Sequence, residues 1–142
     1  MFAKQLTVFI ENREGRLSEV LSVLGKYKVN ILSLSLADTT EFGLLRLIVD
    51  NPALGKEKLI ENGFSSLLSD VSIIKIPHKA GSLQELLKLI DDGGINIEYM
   101  YGLSIESEKA YIVLKASNLA SLDKLLSDAG VETISEDMLT EL

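Results

Sequence analysis

The feature that most constrains this chain is an internal repeat. Gly15-Arg16-Leu17 returns as Gly81-Ser82-Leu83, and Val29-Asn30-Ile31 returns as Ile95-Asn96-Ile97, each 66 positions later. A fixed period of self-similarity defines the unit being folded and takes precedence over any reading by length. This period is half of a 142-residue chain. It is too long for a solenoid repeat and suits one small domain. The expectation is two domains of one kind, 1–70 and 71–142. A unit of this size has a lone core worth only about 3–5 kcal/mol, so the two are expected to dock side by side.

Within repeat one, Leu6, Val8 and Ile10 alternate against Thr7, Phe9 and Glu11, the period of a strand. After a polar turn, Leu17, Val20, Leu21 and Leu24 have the spacing of a helix with one apolar stripe. Gly25, Lys26 and Lys28 suit its C-terminal end. Leu32, Leu34 and Leu36 alternate with Ser33 and Ser35 as a second strand, and 43–49 follows as a third. Asn51-Pro52 reads as a cap with proline in the first turn, Asn62-Gly63 as the end of that helix, and 64–68 as a short fourth strand. Repeat two follows the same order: a strand over 72–76 and a helix with Ser82 and Glu85 as its capping box. Strands over 97–104 and 110–116 come next, then a helix capped by Asn118 and a closing strand over 131–134.

Each half therefore reads β-α-β-β-α-β, a ferredoxin-like α+β unit with an antiparallel sheet and both helices on one face. No Gly-, Ser- or Pro-rich linker separates the halves near Asp70-Val71.

The formal net charge of −7 with scattered basic residues argues against nucleic acid, whose phosphates call for clustered Lys and Arg. No apolar run reaches membrane-spanning length, and the start shows no signal-peptide pattern, so a cytoplasmic, soluble protein is expected. There is no cysteine, one histidine (His78), no Walker loop and no metal-ligand spacing. No cofactor is expected. Tyr99 and Tyr101 share one strand face, either as a binding surface or as cover for an outer sheet face or an interface.

What stands out is the glycine turn after the first strand of each repeat. Helix N-terminal N–H groups lack intrahelical partners and carry the positive end of the helix dipole, so they receive carboxylates. Gly15 and Gly81 permit close approach. Asn12, Asn30 and Asn96 offer amides for a zwitterion, or serve only as turn and cap residues.

Glu11-Asn12-Arg13-x-Gly15-x-Leu17 followed by Val29-Asn30-Ile31 resembles the ACT domain, most closely the serine-sensing version of D-3-phosphoglycerate dehydrogenase. Across the whole chain it resembles a tandem pair of such domains. The resemblance implies paired domains binding a free amino acid at their interface. Asn12, Gly15 and Asn30 match its ligand-binding positions in repeat one, and Gly81 and Asn96 match them in repeat two. His78 stands in place of the turn asparagine, Glu14 and Ala80 in place of the usual proline, and Ile10 in place of the serine sensor's histidine. By family geometry, one site would join Asn12, Arg13, Glu14, Gly15, Arg16 and Leu17 to Tyr99 and Tyr101. The other would join His78, Ala80, Gly81, Ser82 and Leu83 to Ser33 and Ser35. The expected protein is non-catalytic, an amino-acid sensor acting as a homodimer on a regulated enzyme or transcription factor. The alternatives are a ligand-free interaction module and an enzyme using His78.

Overall fold

A computed structural model describes residues 2–11, 13–38, 42–106 and 108–139. The chain divides into two compact units, Lys4–Ser69 and Asp70–Leu142 together with Met1–Ala3.

The N-terminal unit is built from β1 (Ala3–Glu11), α1 (Arg16–Lys26), β2 (Ile31–Asp38), β3 (Phe42–Val49), α2 (Pro52–Glu61) and the start of β4 (Ser65–Pro77). Its strands lie in the order β2-β3-β1-β4. Register places Val8 opposite Leu45 and Leu6 opposite Leu47, so these side chains share one face. They form a core with Val20 and Leu24 of α1, Leu59 of α2 and Phe64. On the other sheet face Gln5 and Thr7 are buried, and the Gln5 amide donates to Thr7 Oγ1 at 3.0 Å. Leu34 and Leu36 sit opposite Leu47 and Leu45 on edge strand β2, and both are exposed. Of the hairpin loop expected over 38–42, Asp38 ends β2 and Phe42 begins β3, while 39–41 lie outside the described residues.

The C-terminal unit continues β4 and adds α3 (Ser82–Asp92), β5 (Ile97–Glu106), β6 (Lys109–Ala116), α4 (Leu119–Asp128) and a short α5 (Glu136–Leu139). Its strand order is β4-β6-β5. Ile74, Ile76, Leu114 and Ala116 meet Leu86 and Ile90 of α3 and Leu122 and Leu126 of α4.

Three features differ from the sequence expectation. The strands expected at 64–68 and 72–76 are one continuous β4 of 13 residues. The closing strand at 131–134 is reduced to a single bridge, Ile74 to Thr133, held by Lys75 N–H to Glu132 O (3.0 Å) and Ile134 N–H to Ile73 O (2.8 Å). Ser82 is not the cap of α3. That position belongs to Gly81, at φ 91°, with no side-chain cap bond. Asn51 and Asn118 do cap their helices, accepting from Leu54 N–H (3.2 Å) and Ser121 N–H (3.0 Å).

The exit from α1 carries a local conflict. Lys28 is held at φ 59°, the left-handed conformation that L side chains avoid, whereas its repeat-two counterpart is Gly94 at φ 71°. Lys28→Gly is expected to stabilise the chain by about 1 kcal/mol, since left-handed backbone costs a side-chain-bearing residue about 1–2 kcal/mol and added unfolded-state entropy offsets part of that. An unchanged or lowered urea midpoint would contradict this.

Candidate functional site

In the C-terminal unit, β4 and β5 both pair antiparallel with the strand between them, β6. They therefore run the same way, and their C-terminal ends meet at one end of the sheet. Ile76, Ala110 and Ile105 form one row across the three strands, and Pro77 and Glu106 both pair with Lys109. The turn leaving β4 opens here, and His78 N–H donates to Glu108 O at 2.6 Å, tying it to the β5–β6 end.

Between this turn and β5 lies a cleft of about 460 Å³, whose walls include Ile76, Leu83, Leu103, Ile105 and Ile112. A bulge between Gly102 and Ser104 shifts the β5 register and takes Leu103 out of the pairing. His78, Lys79, Ser82, Gly102 and Ser104 also line it.

The start of α3 faces this space. Ser82 N–H reaches Lys79 O at 3.2 Å, and the next bonded amide is Glu85 N–H, to Gly81 O at 3.0 Å. Among the described residues, the N–H groups of Leu83 and Gln84 have no acceptor. Two open donors at the positive end of an 11-residue helix, with the Lys79 ammonium on the same turn, form an anion-accepting end to an otherwise apolar cleft.

The corresponding turn of the N-terminal unit is occupied differently. Asn12 lies outside the described residues. Arg13 pairs with Glu11 at 3.1 Å. Arg16 turns onto the core, its guanidinium 4.3 Å above the Phe64 ring and 2.6 Å from Glu19. Glu14 is exposed, Gly15 adopts φ 86°, and Leu17 packs partly buried against the core.

The structure does not bring Asn30 to the turn of its own unit. The turn follows Glu11, which pairs with Phe42, whereas Asn30 exchanges bonds with Asp50 at the other end of β3: its N–H donates to Asp50 Oδ1 (2.9 Å) and its O accepts from Asp50 N–H (3.0 Å). Seven residues of strand separate the two ends, about 23 Å. Asn96 has the same placement in the C-terminal unit, accepting from Ser117 N–H at 3.0 Å. Tyr99 and Tyr101 stack on each other, centroids 6.5 Å apart, in register with Lys115 and Val113 on the face away from the helices. They do not line the cleft. Ser33 and Ser35, opposite Ile48 and Arg46 on β2, are half-buried. Ala80 and His78 are exposed in the turn.

Sequence reasoning missed Lys79 and the Gly102–Ile105 stretch. The available signal was Gly102, a glycine inside an apolar strand, which marks a bulge or a close approach.

Comparison with protein families matches a model described as an ACT domain pair over residues 1–142. The chain belongs to this family. ACT domains are regulatory modules, and this one is a tandem pair. Among solved structures, this ACT pair is similar to protein BT0572 from Bacteroides thetaiotaomicron. The two are 35% identical with TM-score 0.94, covering 100% of this chain and 98% of the other. It shares its fold with the regulatory subunit of aspartate kinase from Thermus thermophilus (14% identity, TM-score 0.63, covering 87% and 90%). The same subunit from Thermus flavus is similar too (15%, TM-score 0.59, covering 89% and 91%). No curated protein matches. Among the described residues of the ACT pair, no cluster of His, Cys, Asp and Glu is arranged to hold a metal ion, and no helix is long and apolar enough to cross a membrane.

Proposed function

We propose that this ACT pair is a regulatory protein that acts by binding a free amino acid, not by turnover. The observation that carries this reading is the start of α3, where the Leu83 and Gln84 amides lack acceptors, beside a cleft of about 460 Å³ with apolar walls that Ser82 and Leu83 line. A free amino acid's carboxylate sits on the start of α3, where helix dipole and N–H groups both favour negative charge. Its side chain lies against Ile76, Leu103 and Ile112. Ser104 Oγ and the backbone oxygens released by the β5 bulge accept from its ammonium group. Occupancy favours whichever arrangement of turn and strand holds the ligand more tightly, and a partner protein, either an enzyme or a transcription factor, reads the shift. The chain works as a cytoplasmic homodimer. The Glu11-Asn12-Arg13 turn supports a finer kinship with the amino-acid-sensing ACT domain of D-3-phosphoglycerate dehydrogenase, with Asn12 and Gly15 as a second receptor.

Thermal unfolding against the twenty amino acids tests the reading. A cognate ligand at 100 times its Kd adds about 2.7 kcal/mol, about 5–11 °C for a chain of this size. The apolar walls lead us to expect the largest shift among aliphatic amino acids, with His78→Ala lowering affinity without removing any activity. A flat response to all twenty would favour a ligand-free interaction module.

A further inference from the structure

A second cleft, of about 360 Å³, lies in the same unit between α3, β4 and the segment after α4. Its meaning emerges from the repeat. Ser82, Glu85 and Val131 stand where repeat one has Arg16, Glu19 and Phe64. Repeat one also has a cleft here, along Glu19, Val23, Asn62 and Phe64, but its inner side is occupied by Arg16. The Arg16 side chain is only 15% exposed, its guanidinium meets Glu19 at 2.6 Å, and it lies 4.3 Å over the Phe64 ring. Repeat two keeps the carboxylate as Glu85 but loses the arginine. The cleft remains, and Ser82 Oγ is buried in its lining without a hydrogen-bond partner. A buried hydroxyl left unsatisfied costs about 1–3 kcal/mol and calls for a partner.

The charges lining the cleft narrow what that partner is. Lys75 and Glu132 neutralise each other at 3.3 Å. Among the described residues, the Glu85 carboxylate and the Lys109 ammonium have no ionic partner, and both line the cleft. We propose that this cleft binds a small guanidino carboxylate. Its guanidinium takes the place beside Glu85 that the Arg16 guanidinium holds beside Glu19, with Ser82 Oγ accepting one of its N–H groups. Its carboxylate meets Lys109. A guanidinium suits the position better than an ammonium, because it is planar, weakly hydrated and tolerates apolar walls such as Leu86, Leu89 and Val131. The site adjoins the other cleft, sharing Ile76, Pro77 and Ser82 with it, but its charged partners, Glu85 and Lys109, line this cleft alone.

The test is calorimetric titration of the full chain with L-arginine and with agmatine, which lacks the carboxylate. Saturable arginine binding is expected, with agmatine weaker. Glu85→Gln removes a charge-assisted pair and weakens arginine about tenfold or more. Gly102→Leu, which alters only the other cleft, leaves arginine binding in place. Ser82→Arg restores the internal guanidinium of repeat one, so it abolishes arginine binding and raises the thermal midpoint. Should that variant fail to fold, Glu85→Gln decides alone. Absence of saturable binding to the unmodified chain overturns the proposal. So does wild-type affinity in Glu85→Gln, or loss of arginine binding in Gly102→Leu, which would place arginine in the first cleft.

Discussion

Gly102→Leu is expected to abolish the thermal stabilisation produced by the cognate amino acid while leaving the folded chain at least as stable as before. A Cβ built on Gly102 meets nothing within 4 Å, and its φ is not in the left-handed region, so the residue enters without strain. Gly102 pairs with Ile112 and lines the cleft, so the new side chain projects onto the apolar floor. The chain already contains the result. Leu36 is the repeat-one counterpart of Gly102, and its Cδ1 lies 3.3 Å from where a Cβ on Gly43 would sit. A leucine at this register therefore covers the neighbouring strand where repeat two leaves an opening. Burying part of a leucine contributes up to about 1.5–3 kcal/mol, whereas losing the ligand removes about 2.7 kcal/mol at 100 times Kd. The apo midpoint should hold or rise and the ligand-induced shift should vanish. A shift equal to wild type would place the ligand outside this cleft.

The reasons why some of this was legible in the sequence, and some not, are physical. Helix positions followed from apolar spacing because burial of one stripe is local information, as Val20 with Leu24 and Leu122 with Leu126 show. Asn51 and Asn118 were recognisable as caps because the bond they make spans three residues. Ser82 with Glu85 satisfied the same pattern, yet Gly81 took the cap by adopting a left-handed conformation that side-chain-bearing residues disfavour, and the serine hydroxyl is buried without a partner. The lining of the cleft depends on strand alignment, which no local pattern records. Tyr99 and Tyr101 alternate correctly, but register sets them opposite Lys115 and Val113, while the bulge turns Gly102 and Leu103 toward the turn. Asn30 and Asn96 recur at the repeat period because each closes the end of a β-ladder, through Asp50 and Ser117.

Leu122→Ala is expected to be the most destabilising of the substitutions considered, because the two repeats seat their second helix at different depths. Position 55 of repeat one corresponds to 122 of repeat two, and the residues are glycine and leucine. Gly55 lets α2 descend until a Cβ there would stand 3.1 Å from Leu6 Cδ2 and 3.4 Å from Leu24 Cδ2. Leu122 instead fills that layer with its own side chain, fully buried among Ile90, Leu114 and Leu126. Truncating it removes buried methyl groups and leaves a cavity, at a cost of about 2–5 kcal/mol. For a chain of this size that lowers the thermal midpoint by about 4–20 °C. It approaches the whole of what a core of some 70 residues supplies, about 3–5 kcal/mol. The reciprocal change, Gly55→Leu, fails for the opposite reason: the layer is already closed by Leu6 and Leu24, and overpacking costs about 1–3 kcal/mol. If the repeats were interchangeable at this layer, both substitutions would be mild, and a loss below about 1 kcal/mol for Leu122→Ala in urea unfolding would show that α4 settles toward the sheet to take up the lost volume.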